Sequence, residues 1–100
     1  IADYYVIPSQ FEGTPVSLIE ALYNKLPVIG SSVNGIKNVI DHKYNGLLFD
    51  PGDILQLKRH ISYLVENKSQ ANKYSKEGFI TYNSKLLKQG ATRKFINSTY

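Results

Sequence analysis

The chain has 100 residues, of which 42% are hydrophobic, and a formal net charge of +4. This length accommodates one small domain or part of one, and the hydrophobic fraction is typical of a packed core rather than a disordered segment. Cysteine is absent, which excludes a disulfide framework and thiolate metal sites. No apolar run approaches the roughly 20 residues that a transmembrane helix requires.

The charge is divided unevenly along the sequence. Up to Ile54 there are three lysines and six acidic residues, whereas the remainder carries nine basic and two acidic residues. A basic helical tail could face an anionic membrane or a lipid-phosphate acceptor, so peripheral membrane contact stays open. Solvated lysines on outer helix faces are the simpler explanation. No nucleic acid partner is expected, because the basic residues are dispersed and no nucleic-acid motif accompanies them.

Short β-prone runs alternate with stretches of helical spacing, which predicts an α/β fold. The runs are continuously apolar, as is typical of parallel strands that are covered on both faces. The predicted strands are residues 4–7, 27–30 and 47–49. The predicted helices are residues 15–23, 36–41, 54–66 and 69–82, followed by a weaker helical pattern over 85–100.

The spacing of apolar residues predicts which helix faces are buried. The expected inward residues are Val16, Ile19 and Tyr23 with Leu18 and Leu22 beside them; Ile36, Val39 and Ile40; Ile54, Leu57, Ile61, Leu64 and Val65; and Ala71, Tyr74 and Tyr82, with Gly78 as a further candidate.

Other residues carry local signals. Asp53 is expected to cap the third helix, with Gln56 as its capping-box partner. The dipeptide at 45–46, Asn-Gly, is the strongest turn signal. His42 is expected to be a lone surface histidine without a second ligand at metal spacing, and His60 to be solvated.

Two glutamates stand eight positions apart around a predicted helix start. Thr14 is a good N-cap, and Pro15 fits the first helical position. Free backbone N–H groups and the macrodipole at such a start favour phosphate. Because carboxylates accept hydrogen bonds from hydroxyls, one of Glu12 and Glu20 could hold a sugar and the other a ribose, with the phosphate between them. Taken alone, this spacing is more often found between two exposed glutamates that bind nothing.

The residues around this pair resemble the donor-site signature of the retaining "group 1" glycosyltransferases. Seven residues separate Glu12 from Glu20, and Ala21 and a Leu-Pro-Val-Ile run at 26–29 follow. The similarity continues to about Asp53. It departs at 37–38, where Lys-Asn replaces the Pro-Glu pair of the family, which puts in doubt the contact that the family makes through that glutamate.

The resemblance implies a fold and a set of site residues. The fold would be a Rossmann-like three-layer parallel sheet, forming the second half of a GT-B nucleotide-sugar-binding domain with C-terminal helices. Glu12 would be the catalytic residue that faces the donor sugar. The implied donor-binding residues are Gly13, Thr14, Val16, Ser17, Glu20 and Gly35. Gly35 could let its backbone approach a ligand or could equally be a positive-φ turn residue. No metal or other cofactor is expected, because the helix start and basic residues upstream would carry the phosphate charge.

The resemblance also implies an activity. A hexose would pass with retention from a nucleotide diphosphate sugar, with a UDP-sugar favoured, to a glycan or lipid-linked hydroxyl acceptor. The chain is then interpreted as a single partial domain over 1–100, with a donor-site core at 1–53 and a helical part at 54–100. An N-terminal Rossmann-like domain would be missing, and the fragment alone would be inactive. The expected location is the cytoplasm, with the inner face of the membrane left open.

Two alternatives remain at this point. One is a related GT-B enzyme, such as a sugar epimerase or a phosphorylase. The other is a non-catalytic module that binds a nucleotide sugar.

Overall fold

The computed structural model describes residues 4–8 and 16–86. The elements along the chain are β1 (Tyr5–Ile7), α1 (Val16–Tyr23), β2 (Val28–Ser31), α2 (Asn34–Lys37), β3 (Leu47–Phe49), α3 (Ile54–Glu66), α4 (Lys68–Thr81) and a π-helical turn (Tyr82–Leu86). The strands form one parallel sheet in the order β1-β2-β3. This architecture confirms the predicted α/β class and all three predicted strands.

The strand register brings the carboxyl ends of the strands to one edge of the sheet. Ile7 lies beside Gly30, and Ser31 lies beside Phe49. All three strands run in the same direction, so the segments that follow them emerge at this same edge. In open parallel sheets this is the edge where ligands bind.

Helices cover both faces of the sheet. Val28 and Ile29 in the central strand are 1% and 0% exposed, and successive side chains of a strand point to opposite faces. The cluster around Val28 takes its other members from β1, α1, α2 and the following turn, and from the π-helical turn. The cluster around Ile29 takes its other members from β3, α3 and α4. The three-layer arrangement that the sequence predicts is therefore present.

The buried face of α1 differs from the predicted one. Leu18, Ile19 and Leu22 are buried as expected, but Val16 and Tyr23 are 54% and 37% exposed. With 100° between successive helical residues, the buried positions centre on the side opposite to Val16 and Tyr23. The prediction was wrong for these two residues because α4 packs beside α1 on the side of Leu22, whereas Tyr23 at the end of α1 is only partly covered by Tyr82, with 5.3 Å between the ring centroids.

The short α2 ends earlier than predicted, yet its apolar residues are placed as expected. The helix spans Asn34–Lys37 rather than residues 36–41, and residues 38–39 continue as a turn. Ile36, Val39 and Ile40 are nevertheless all buried. The Ile40 N–H still donates to the Ile36 carbonyl at 2.8 Å, which keeps these side chains directed inward after the helix has ended.

The turn predicted at the Asn-Gly pair is present, with residues 43–45 forming it, and the pair also contributes to packing. Asn45 is 2% exposed, and its side-chain oxygen accepts from the Asp41 N–H at 2.7 Å. Its amide nitrogen donates to the Val39 carbonyl at 3.0 Å and to Thr81 Oγ1 at 2.9 Å. Gly46 does not have a positive φ; a Cβ there would lie 3.0 Å from the carbonyl oxygen of the central strand at residue 28. The pair thus fastens this turn to α4 and lets it approach β2.

The third helix keeps its predicted cap but not its capping box. Asp53 accepts from the Gln56 N–H at 3.0 Å, as predicted. The Gln56 side chain instead accepts from the Asp50 N–H at 2.6 Å. Of the predicted apolar stripe, Leu64 is buried and Leu57 and Ile61 are partly buried, whereas Ile54 and Val65 are 57% and 54% exposed.

The fourth helix follows its prediction. Ala71, Tyr74, Gly78 and Tyr82 are all buried. Helical structure continues to Thr81, and the break predicted at 83–84 falls inside the π-helical turn. The helical pattern predicted over 85–100 lies mostly outside the described residues.

We predict that Asn45→Ala destabilises the fold by about 2–4 kcal/mol, because it removes three side-chain hydrogen bonds, including the buried one to the Val39 carbonyl. Chemical or thermal unfolding of the intact protein that contains this chain would measure the loss. Asn72→Ala makes the same chemical change at an exposed position of α4 and should alter stability by less than about 0.5 kcal/mol. Equal effects of the two substitutions would contradict the assigned role of Asn45.

Candidate functional site

The candidate site lies where the three strands end. β1 leads into Pro8, β2 leads into the loop that begins α2, and β3 leads into Asp50. The first of these segments is the one that carries the predicted catalytic glutamate. Glu12, Gly13 and Thr14 lie outside the described residues, so their predicted roles stay predictions.

The start of α1 presents the described part of the donor motif. Val16 is the first residue of the helix and is exposed, and Ser17 beside it is partly buried. Glu20 is exposed one turn further along, on the same outward face as Val16 and next to Ser17. Its backbone carbonyl accepts from both the main-chain N–H and the side-chain amide of Asn24, at 3.0 and 2.8 Å. The structure therefore brings these three predicted donor-binding residues together on one side of α1.

The loop after β2 is held firmly in place. The Ser32 N–H donates to the Phe49 carbonyl at 2.8 Å, and the Val33 carbonyl accepts from the Lys37 N–H at 2.8 Å. Gly35 is buried within α2 and does not have a positive φ. Of the two roles that the sequence left open for Gly35, the positive-φ turn residue is therefore wrong. Lys37, which departs from the family pattern, is exposed at the end of the same helix.

Gly30 determines how closely α2 approaches the sheet. A Cβ built on Gly30 would lie 2.7 Å from Cγ2 of Ile36, which is closer than real Cβ contacts. Ile36 is 0% exposed and shares its buried cluster with Leu18 and Ile19 of α1. The two helices that begin at the carboxyl edge therefore pack on the same face of the sheet. The absence of a side chain at residue 30 sets the distance between α2 and that face.

Sequence reasoning missed a pair of histidines at the outer side of β3. Leu48 donates its N–H to His42 Nδ1 at 2.9 Å, and its carbonyl lies 2.8 Å from His60 Nε2. The ring centroids are 5.5 Å apart. His42 is therefore not alone, and His60, which is partly buried, is not simply solvated. Eighteen positions separate the two residues, and only the packing of α3 against β3 brings them together.

No group of three or more His, Cys, Asp or Glu side chains that could hold a metal ion occurs within residues 4–8 and 16–86. In the same part of the chain, no helix combines the length and apolar character needed to cross a membrane. A cavity of about 390 Å³ is lined by Tyr4, Lys25, Pro27 and Lys68, among others. Tyr4 precedes β1 and Pro27 precedes β2, so this cavity lies at the amino ends of the strands and is not the predicted donor site.

The family of the chain is defined by a match over most of its length. The profile described as "Glycosyl transferases group 1" matches residues 1–80. These residues include both glutamates of the motif and all elements from β1 to α3. The chain belongs to the group 1 glycosyltransferase family.

Several curated relatives are similar to parts of the chain. It is 34% identical over 64 residues to an uncharacterized glycosyltransferase of Haemophilus influenzae. This alignment covers 63% of the chain and 18% of that protein. It is 36% identical over 53 residues to the UDP-Gal:alpha-D-GlcNAc-diphosphoundecaprenol alpha-1,3-galactosyltransferase of Escherichia coli. This alignment covers 53% of the chain and 14% of that protein. It is 40% identical over 58 residues to the amylovoran biosynthesis glycosyltransferase AmsK of Erwinia amylovora. This alignment covers 52% of the chain and 14% of that protein. The aligned segments therefore span less than a fifth of the length of these relatives.

Solved structures of longer proteins share the fold. The crystal structure of TarM superimposes with a TM-score of 0.80 at 27% identity, over 95% of this chain and 19% of that one. Sucrose-phosphate synthase from Thermosynechococcus elongatus gives a TM-score of 0.80 at 25% identity, over 99% of this chain and 26% of that one. The parallel sheet with its helices is thus the α/β fold of GT-B glycosyltransferases.

We predict that Gly30→Ala destabilises the fold by about 1–3 kcal/mol, because the new methyl group collides with Ile36 and displaces α2. Denaturant unfolding of the intact protein would measure the change. Ile36→Ala removes the colliding atom but costs about 2–5 kcal/mol by itself through the cavity it leaves. The double variant should therefore lose less than the sum of the two single losses. Additive losses would show that contact between residues 30 and 36 does not set the position of α2.

Proposed function

We propose that the protein containing this chain transfers a hexose from a nucleotide diphosphate sugar to a hydroxyl acceptor with retention. The chain would form the C-terminal part of its donor-binding domain. The observation that carries this proposal is the exposed face of α1, where Val16, Ser17 and Glu20 lie together at the carboxyl edge of the sheet. This face belongs to a chain whose family is the group 1 glycosyltransferases.

The donor would be held along α1. Glu20, exposed on the outward face, would accept hydrogen bonds from the ribose hydroxyls. The backbone from Gly13 to Val16 would approach the sugar and the phosphates, where the helix start favours negative charge. Pro15 cannot donate, so these contacts would come from its neighbours. The exposure of Val16 and the partial burial of Ser17 leave this end of the helix accessible.

Glu12 would be the residue closest to the chemistry. Its carboxylate would accept hydrogen bonds from the hydroxyls of the donor sugar and position the ring for transfer. Gly35 would bring the loop after β2 close to the donor. Its burial within α2, and the tight packing of that helix on Gly30, support a fixed backbone at this place. No metal would be needed, because the helix start and basic residues elsewhere in the protein would bear the phosphate charge.

A UDP-sugar and a glycan or lipid-linked acceptor are the favoured substrates. The Escherichia coli relative is named for a UDP-Gal donor and a diphosphoundecaprenol-linked acceptor, and the Erwinia amylovora relative is named for amylovoran biosynthesis. Both names support a role in the synthesis of a bacterial polysaccharide. Such an enzyme would work in the cytoplasm, at the inner face of the membrane where a lipid-linked acceptor is used.

The rest of the enzyme would supply what this chain does not. The chain covers 19% of TarM, and the aligned segments cover 14–18% of the three relatives described above. An N-terminal Rossmann-like domain would provide the acceptor groups, and upstream residues of the donor domain would provide the basic clamp on the diphosphate. Alone, the chain would bind donor weakly and would not turn over.

We predict that Glu20→Gln weakens binding of UDP by about 10- to 100-fold, since a charged hydrogen-bond acceptor for the ribose is lost. Glu12→Gln should reduce the transfer rate by about 100-fold with a much smaller effect on UDP binding, because its contacts are to the sugar. Calorimetry with UDP and initial rates on the intact enzyme would separate the two effects. Glu66→Gln, at an exposed position of α3, is the matched control and should change neither quantity.

Product analysis completes the test. Transfer that requires an added acceptor and keeps the anomeric configuration supports the proposal. Formation of an altered nucleotide sugar, or of a sugar phosphate in the presence of phosphate, would instead indicate an epimerase or a phosphorylase. Normal UDP binding in Glu20→Gln together with normal transfer in Glu12→Gln would overturn the assignment of both glutamates.

A further inference from the structure

The outer side of β3 is closed by side chains. The Phe49 carbonyl accepts from Ser32 on the β2 side, so the N–H and carbonyl of Leu48 face the opposite way. No strand lies on that side among residues 4–8 and 16–86. His42 and His60 contact the two backbone groups of Leu48, and Gln56 accepts from the Asp50 N–H beyond them. Side chains thus replace the hydrogen bonds that a neighbouring strand would make.

The two histidines meet Leu48 with opposite hydrogen-bonding roles. A backbone N–H can only donate, so His42 Nδ1 must accept and must therefore be unprotonated. A carbonyl oxygen can only accept, so His60 Nε2 must carry a proton. Protonation of His60 at its other nitrogen leaves its bond to Leu48 intact. Protonation of His42 occurs at the nitrogen that accepts, and it removes the bond from the Leu48 N–H.

The surroundings of His42 oppose a positive charge. Three effects lower the pKa of His42 from its ordinary value. The largest is partial burial of the ring, followed by the nearby ring of His60 on α3 and by Lys43 in the same turn. Asp41 precedes His42 and is exposed. A group whose pKa is lower in the folded than in the unfolded state stabilises the fold above its unfolded pKa, here about 6.5. That stabilisation is lost as the pH falls from about 6.5 through the folded value.

We propose that His42 and His60 form a proton-sensitive clasp on the outer edge of β3. At neutral pH, His42 fastens its turn to Leu48 while His60 fastens α3 to the same residue. Under mildly acidic conditions His42 takes up a proton at Nδ1, and the Leu48 N–H loses its acceptor. The His42 ring then leaves the strand, whereas the turn keeps its Asn45 hydrogen bonds and α3 stays attached through His60 and Gln56. This device is independent of the sugar-transfer function proposed above.

The test follows the Leu48 amide in the intact protein labelled with ¹⁵N-leucine. In the wild type, the Leu48 signal should shift between pH 7.5 and 5.0 with a midpoint below 6.5, and protection from hydrogen exchange should fall by about five- to tenfold beyond the intrinsic pH effect. His42→Asn retains an oxygen acceptor near the position of Nδ1 but does not titrate, so its Leu48 signal should stay constant. The buried Leu64 of α3 serves as an internal control and should not respond in either protein.

Two further measurements keep the proposal falsifiable. In His60→Gln, which retains a donor near the position of Nε2, the Leu48 midpoint should rise towards 6.5 because one opposing ring is gone. Imidazole ¹⁵N spectra of the wild type at pH 7.5 should show His42 with its proton on Nε2, and this measurement needs no variant. A Leu48 amide that ignores pH, one that responds equally in His42→Asn, or His42 with its proton on Nδ1 would each overturn the clasp.

Discussion

The burial of β2 on all sides is the constraint on which the rest of the structure depends. Residues 28–31 have neighbours on both faces and a parallel strand on both edges. Two of the close approaches to this strand occur where a side chain is absent. Gly30 admits Ile36 of α2, and Gly46 admits the start of β3 against the Val28 carbonyl. Two glycines therefore fix both the loop at the carboxyl edge of the sheet and the pairing of its third strand.

The sequence predicted the elements well because their signals are local. Continuous apolar runs identified all three strands, and helical spacing identified α3 and α4 with most of their inward residues. The errors arose where a neighbour distant in sequence decides the outcome. Val16 and Tyr23 suit the inward face of an isolated helix, but α4 buries the adjacent side of α1. Asn45 lies in the turn that was predicted, but its bond to Thr81, 36 positions away, could not be predicted from the sequence.

The candidate site was predictable only in part for the same reason. A motif with fixed spacing located Glu20 on a helix that begins at the carboxyl edge, and the structure leaves that side chain exposed there. No local pattern could reveal that Gly35 would be buried within α2, or that His42 and His60 would converge on Leu48. These contacts arise when a loop or helix folds over a strand. A single sequence carries no period or spacing that reports them.

The two edge strands of the described sheet differ in how their outward backbone groups are hydrogen-bonded. At β3, side chains from the 42–46 turn and from α3 satisfy the outward backbone groups, which is how proteins end a sheet. At β1 the half-buried residues Tyr5 and Val6 have a strand on one side only within the described part of the chain. An edge closed by specific hydrogen bonds needs no further strand, whereas an apolar edge without such closure can accept one. Within the described residues, side chains therefore close the sheet at β3, and β1 is the edge at which a further strand could pair.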